Sequence, residues 1–252
     1  MSKRLSYVLF AVLVALLAVG MGLMLHCCRE ARGEMTCNAL DVEITDDFEF
    51  VSAAQVAAYI EADYGKCVGR HIDSIALGRI ETLLEKRSVI LDSEAWTTDD
   101  GVLHVSVRQR KPKVCCKGKD KGWYIDKEGF AFPMSSGYEA EVLTIEGNIP
   151  DLGRPGREQW IAGVLELERF ISGSRTWRGR IATLRVDDKG DIRLTTTDGD
   201  EQFILGYPDN IPEKFARMEK YYSHILPSLE DGKRYKSVNL KFNKQLICRK
   251  DI

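Results

Sequence analysis

The chain has 252 residues, 44% of them hydrophobic and 29% charged, which is the composition of a folded protein and excludes a largely disordered one. Its 36 basic and 38 acidic residues give a formal net charge of -2, so the chain has no overall positive field. Because nucleic acids are bound chiefly through positive charge, nucleic acid is not an expected partner.

The first element in chain order is an uncharged run of 21 residues, 5–25, preceded by Lys3 and Arg4. A helix rises about 1.5 Å per residue, so this run covers about 30 Å, the thickness of the hydrocarbon core of a bilayer. The two basic residues favour a cytoplasmic N-terminus. The sequence therefore predicts a cytoplasmic tail over 1–4, one transmembrane helix over 5–25, a spacer over 26–39, and export of the remainder.

Two other interpretations of the N-terminus stay open. A cleaved signal peptide would use the small residues 18–20 as its cleavage site, but the apolar run continues past them to Leu25. A lipoprotein would be attached through Cys27, but Leu25 and His26 fill positions where lipoprotein signals favour small residues. The retained helix is therefore the favoured prediction.

A β-α-α-β-β unit is predicted over residues 40–112. Residues 40–44 alternate apolar and acidic side chains, as a half-buried strand does. Ser52 and Gln55 form a capping-box pattern, which predicts a helix that begins at Ala53 and ends near Gly65.

The second half of this unit is a helix over residues 74–87, followed by a hairpin centred on the Asp-Asp-Gly turn at 99–101. The strand after that turn has a side-chain period of two. Its buried positions are predicted to be Leu103, Val105 and Val107, and its outward positions His104, Ser106 and Arg108. Pro112 closes the unit, because proline lacks the N–H that a strand ladder needs.

A β-rich domain with two helices is predicted over residues 113–252. It opens with a hairpin over 123–132, whose turn holds Gly129 for a positive φ. The remaining elements are a helix with Trp160, Val164, Leu167 and Ile171 on one stripe, strands over 181–186, 192–196 and 202–205, a helix from Pro212, and a final strand region over 238–250. The predicted fold class is α+β, with one N-terminal transmembrane helix.

No side chains recur at a spacing typical of catalysis or metal binding. The seven cysteines contain no C-x-x-C pair, and the four histidines do not lie at ligand spacing. Ser223 and His224 are predicted to point about 100° apart on one helix, and no G-x-S-x-G motif is present. The acidic pairs lie in predicted turns, where aspartate binds backbone amides. We therefore expect no catalytic residue, metal, cofactor or small-molecule substrate.

The order of these elements resembles the FtsQ/DivIB family of bacterial cell-division proteins, and the likeness covers almost the whole chain. The family's POTRA domain corresponds to residues 40–112 and its β domain to residues 113–252. The likeness is carried by Leu103, Val105, Val107, Gln109, Arg110 and Pro112 in the first domain, and by Ile125, Asp126 and Gly129, an I-D-x-x-G hairpin, in the second. The ending VNLKFNKQLICRK is most similar to members of the Bacteroidetes type.

The resemblance implies a non-enzymatic scaffold of the divisome, which links early and late division proteins and regulates septal wall synthesis through protein binding. The implied partners are FtsB-like and FtsL-like membrane proteins, with other divisome membrane proteins at the POTRA domain. The implied location is the cell inner membrane. There the chain would be a single-pass type II protein in contact with the lipid bilayer, with a cytoplasmic N-terminus and its bulk in the periplasm.

In the family, the last strand of the β domain pairs with a segment of FtsB. We therefore expect a partner strand to add beside residues 240–247, where an open sheet edge offers unpaired backbone groups. The candidate partner-binding residues are Leu240, Lys241, Phe242, Asn243, Lys244, Gln245, Leu246 and Ile247. Residues 233–250 hold seven basic residues and no acidic one, which suits an acidic partner and equally suits protection of the edge against aggregation.

Two other function classes stay as alternatives. A POTRA-type chaperone or secretion component would have tandem POTRA units before a barrel, whereas this sequence predicts one unit and no series of ten-residue alternating strands. An anchored cell-wall hydrolase would need a nucleophile or a metal constellation, and neither pattern is present in the sequence.

Overall fold

The computed structural model describes residues 12–25, 35–134, 137–230, 233–243 and 245–250. Residues 12–25 form helix α1. Residues 5–11 of the predicted transmembrane helix, the tail over 1–4 and most of the spacer lie outside the described residues. Among the residues that are described, no helix has both the length and the apolar character needed to cross a membrane.

The chain divides into two compact units, Met1–Gln109 and Arg110–Ile252. The first unit contains the predicted β-α-α-β-β order of elements. They are β1 (Ala39–Ile44), α2 (Ala53–Asp63), α3 (Leu77–Glu85), β2 (Ile90–Thr97) and β3 (Val102–Gln109). The sheet order is β1-β3-β2, with β3 parallel to β1 and antiparallel to β2.

Helix α2 begins where its capping residues predict. The Gln55 N–H donates to the Ser52 hydroxyl at 3.3 Å, and the Ser52 N–H donates to the Gln55 side-chain oxygen at 2.9 Å. Gly65 follows the helix with a φ of 105°, a left-handed conformation that glycine adopts without strain. Both ends of α2 are therefore determined by local sequence.

Helix α3 begins three residues later than predicted. Ser74 belongs instead to a 3-10 turn, Ile72–Ser74, where its hydroxyl donates to the His71 carbonyl at 2.6 Å. The N–H of Ala76, the residue before the helix, donates to the Tyr64 hydroxyl at 2.7 Å. Because the Ser74 hydroxyl bonds backward along the chain, it does not cap a helix, and α3 starts only at Leu77.

The core of the first unit confirms the period-two pattern of β3. Leu103, Val105 and Val107 are each at most 1% exposed and belong to one cluster with side chains of α2 and α3. On the other face of β3, His104 stacks on the Trp96 ring at 5.3 Å between centroids. The alternation thus separates a buried face from a solvated one.

The second unit is built on one sheet of nine strands. They are β4 (Pro112–Lys117), β5 (Gly122–Asp126), β6 (Ala131–Pro133), β7 (Leu143–Gly147), β8 (Ile181–Val186), β9 (Ile192–Thr196), β10 (Gly199–Gly206), β11 (Ser237–Asn239) and β12 (Ile247–Arg249). The sheet order is β12-β11-β10-β9-β8-β7-β4-β5-β6. The helices are α4 (Glu158–Gly173) and α5 (Ile211–Lys220), and a π-helical turn, Tyr221–Ile225, follows α5.

One face of this sheet forms a core with α4 and α5. The predicted stripe of α4 is buried in it, namely Trp160, Val164, Leu167 and Ile171. Trp177 is fully buried and meets the Phe215 ring of α5 edge-on, 5.2 Å between centroids. The apolar stripes therefore identify correctly which helix faces meet the sheet.

Two strands, β4 and β7, lie outside the predicted elements. Strand β4 begins at Pro112. A proline is tolerated at the first position of a strand, because the residues after it keep the N–H groups that pair with neighbouring strands. Its Val114, Cys115 and Cys116 are all fully buried, so the strand lacks the alternation that marks a half-exposed one. Strand β7 lies in the interior of the sheet, parallel to both β4 and β8, and only five residues long.

Candidate functional site

The described part of the chain contains no group of three or more His, Cys, Asp or Glu side chains placed to hold a metal ion. Ser223 and His224, predicted to point apart, are instead in contact, with the Ser223 hydroxyl 2.6 Å from Nδ1. They lie in the π-helical turn, where side chains are not spaced as in an α-helix. The same hydroxyl donates to the Glu219 carbonyl, and both side chains are exposed. A surface hydroxyl held by a main-chain carbonyl is not arranged as a nucleophile.

The C-terminal segment is a hairpin, not the single strand that the sequence predicts. Strands β11 and β12 pair antiparallel, with Val238 opposite Cys248, and residues 240–246 connect them. Strand β11 also pairs in parallel with β10, so both of its edges are occupied. The predicted final strand region over 238–250 is therefore divided into two short strands, and the strand at the edge of the sheet is β12.

The connection begins because the chain after Asn239 turns into the core. The Leu240 N–H donates to the Ile204 carbonyl at 2.9 Å, and the Leu240 side chain is fully buried. The Asn239 side-chain oxygen accepts the Lys241 N–H at 2.9 Å, as in an Asx turn. An asparagine that bonds to its own backbone two residues later competes with continued strand pairing.

The eight predicted partner-binding residues consequently occupy different positions. Leu240 is buried, Leu246 is half-buried, Lys244 lies outside the described residues, and the exposed ones are Lys241, Phe242, Asn243, Gln245 and Ile247. Of these, Ile247 alone belongs to a strand. The predicted set therefore comprises one residue of the sheet edge and the loop that leads to it.

Strand β12 has one neighbour, and no other described strand pairs with its outer side. Cys248 is on the core side, in line with the buried Val238 and Phe203 through the strand registers. Ile247, 40% exposed, and Arg249 are on the opposite, solvated face, and Phe242, 49% exposed, lies in the connecting loop. The site is thus an open edge with apolar and basic side chains beside it.

Burial raises the pKa of the Cys248 thiol. Because the thiolate is the reactive form of cysteine, a raised pKa disfavours nucleophilic or redox chemistry at this strand. The edge therefore offers backbone hydrogen-bonding groups and side-chain contacts, which are the means of recognising a protein segment.

An ion pair between a buried carboxylate and a partly exposed guanidinium supports the hairpin, and sequence reasoning did not identify it. Glu201 of β10, 1% exposed, accepts hydrogen bonds from the Tyr221 hydroxyl at 2.8 Å and from the Arg234 guanidinium at 2.9 Å. Burial, and then the bond to Glu201, raise the pKa of Tyr221, while the bond to Glu201 raises that of Arg234. These residues are 20 and 33 positions from Glu201, so no local pattern signals the cluster.

Comparison with protein families agrees with this architecture. The family described as FtsQ/DivIB, C-terminal related, matches residues 111–249, more than half of the chain. The chain belongs to the FtsQ/DivIB family. The POTRA-like domain matches residues 35–108, which contain β1, β2 and all of β3 except its last residue, Gln109. A comparison with curated proteins found no match.

Membership of the FtsQ/DivIB family confirms the resemblance and indicates a cell-division scaffold. FtsQ/DivIB proteins and POTRA domains are generally non-enzymatic. Each matched range lies within one of the two units of the structure. A POTRA-like domain is therefore followed by a β-rich domain in this FtsQ/DivIB chain.

Proposed function

We propose that this chain is a single-pass membrane scaffold of the bacterial divisome that acts by binding other division proteins. The uncharged run over residues 5–25 and the basic residues before it support an inner-membrane anchor with a cytoplasmic N-terminus. An anchored chain stays in the pellet when isolated membranes are washed at alkaline pH. Release of the full chain into the supernatant would contradict the anchor.

The open outer edge of β12 is the observation that supports partner binding most directly. An extended segment of an FtsB-like protein would add to this edge as a further strand, and backbone hydrogen bonds would supply affinity. Ile247 and Phe242 would provide apolar contacts. Arg249 and the neighbouring lysines would attract an acidic segment and speed its encounter, an effect that salt weakens.

The same features also fit simple protection of the edge. A strand of three residues that ends in the basic Arg249 is a poor template for aggregation, so β12 needs no partner to be explained. The two functions differ in one measurable respect. A protective edge leaves partner recovery unchanged when β12 is altered, whereas a binding edge does not.

Replacing Ile247 by aspartate should reduce recovery of an FtsB-like partner about tenfold. The substitution removes an exposed apolar contact and adds a charge that repels an acidic segment, a loss of about 1–2 kcal/mol for a contact at the centre of an interface. Cys248→Pro, which removes a donor of β12, should have at least the same effect. Recovery is measured by pull-down of the tagged full chain from native membranes.

One control variant accompanies this experiment. Leu91→Asp changes a side chain that is also 40% exposed, on β2 of the first unit. It should recover the partner as the natural chain does. Undiminished recovery with Ile247→Asp and Cys248→Pro would show that β12 is not the binding edge.

A further inference from the structure

The hairpin that carries the candidate edge has little pairing of its own. Strand β11 has three residues, and three register pairs join it to β10: Gln202 with Ser237, Phe203 with Val238, and Ile204 with Asn239. Among the described strands, β12 pairs only with β11. Short strands gain little stability from pairing alone, so the position of β12 depends on what holds β11.

At the start of β11, the chain is held by Glu201. Both carboxylate oxygens lie 2.9 Å from Nη1 of Arg234, three residues before the strand. Gly199 leaves the space for this contact, because a Cβ there would lie 1.9 Å from Nη1. The Tyr221 hydroxyl, which belongs to the π-helical turn, donates a third hydrogen bond to the Glu201 carboxylate at 2.8 Å. A buried carboxylate with three such bonds holds its partners in one arrangement.

At the end of β11, two further contacts hold the chain. The Arg217 guanidinium of α5 donates to the Leu240 carbonyl at 2.8 Å. The Lys241 ammonium bonds both carboxylate oxygens of Asp191 at 2.8 and 2.9 Å, and its stem covers Gly206, where a Cβ would lie 2.7 Å from Lys241 Cγ. The two ion pairs differ in their carboxylates, because the Glu201 side chain has no exposed surface and the Asp191 side chain is 17% exposed, whereas Arg234 and Lys241 are about equally exposed.

We propose that Glu201 is a positioning residue, which places the β11–β12 hairpin on the sheet through Arg234 and so presents the partner-binding edge. The effect of Glu201 on partner binding rests on the proposed function, whereas its effect on the position of the hairpin does not. Glu201 is too deeply buried to touch a partner, so any effect on binding must pass through the hairpin. Sequence position gives no hint of this, since Glu201 lies in β10, two strands away from β12.

The test compares Glu201→Gln with Glu230→Gln in the full chain. Glu230 forms an exposed ion pair with Lys233 just before the hairpin, so its substitution removes a carboxylate nearby without touching the buried cluster. Hydrogen exchange should speed up at least tenfold for the backbone amides of 234–249 in Glu201→Gln, and stay unchanged in α4, β8 and β9. Glu230→Gln should exchange as the natural chain does. Unchanged exchange over 234–249 in Glu201→Gln would overturn the proposal.

Partner recovery from native membranes supplies the second readout. Glu201→Gln should lower it at least fivefold. A tether should restore it: Gln202→Cys with Ser237→Cys places two thiols on registered partners of β10 and β11, and oxidised glutathione joins them by thiol–disulfide exchange, releasing two reduced glutathiones. Recovery that returns on oxidation and falls again with a reductant indicates positioning. Failure of the formed tether to restore it would contradict that role.

The two outcomes separate this inference from the proposed function. If exchange speeds up over 234–249 but partner recovery does not change, Glu201 still positions the hairpin, and the hairpin is not the binding site. If partner recovery falls while hydrogen exchange over 234–249 stays slow, the positioning role of Glu201 is wrong. The proposal that β12 is the binding edge is then neither weakened nor strengthened.

Discussion

Replacing Val105 by aspartate should unfold the POTRA-like domain. Val105 is 1% exposed, and the cluster around it consists of apolar side chains from β1, β3, α2 and α3. The substitution removes a buried side chain and puts a carboxylate there without a partner, which costs about 4 kcal/mol or more. A domain of this size is stable by only about 4–11 kcal/mol. Urea denaturation followed by circular dichroism should show the lost transition.

Ser106→Lys is the matched control for Val105→Asp. Ser106 is the next residue of β3, on the solvated face, and its register partners are Glu43 of β1 and Glu94 of β2. A lysine between two glutamates should leave the urea midpoint almost unchanged, because surface pairs of this kind contribute less than about 1 kcal/mol. Equal urea midpoints for the two variants would mean that Val105 and Ser106 do not lie on the buried and solvated faces of β3.

Replacing Asp126 by alanine should destabilise the β-rich domain by about 3–5 kcal/mol, the cost of breaking a buried ion pair. Asp126 is 2% exposed and belongs to the I-D-x-x-G hairpin. Its carboxylate accepts the N–H groups of Glu128 and Phe130 at 3.0 and 2.8 Å, and pairs with Arg110 at 3.0 Å. The alanine variant leaves the two N–H groups without this acceptor. Thermal unfolding monitored by tryptophan fluorescence measures the loss.

Asp100→Ala provides the comparison for Asp126→Ala, since both are turn aspartates in hairpins. Asp100 lies on the surface of the β2–β3 turn, where the bond from Thr98 lowers its pKa. Its removal should leave the unfolding temperature almost unchanged, because water replaces an exposed carboxylate's partners. A small effect at Asp126 would show that the buried hairpin bonds do not stabilise the domain.

Local patterns were sufficient for much of the fold. The capping box of Ser52, the alternation around Val105 and the apolar stripe of α4 each depend on residues within a few positions of one another, and each is confirmed. The I-D-x-x-G turn is of the same kind, since Gly129 has a φ of 85° directly after Glu128. In such elements the local preference of the sequence agrees with the global fold.

The candidate site was harder to predict, because its geometry depends on distant contacts. The basic segment and its position at the end of the sheet were foreseen, but the division into two short strands was not. That division depends on Leu240 entering the core beside Ile204 and on Lys241 reaching Asp191, 50 residues away. Neither contact has a periodicity that a sequence pattern can reveal.

The two ends of the nine-stranded sheet are chemically unequal. Strand β6, at the end opposite β12, finishes in Pro133, whose ring nitrogen carries no hydrogen and cannot donate to a neighbouring strand. A copy of the chain that docked its β12 against another copy's β6 would meet this interruption. Head-to-tail growth into a fibre, the hazard of any heterologous contact that does not close, is thereby disfavoured. Backbone pairing with a further strand is therefore less hindered at β12 than at β6.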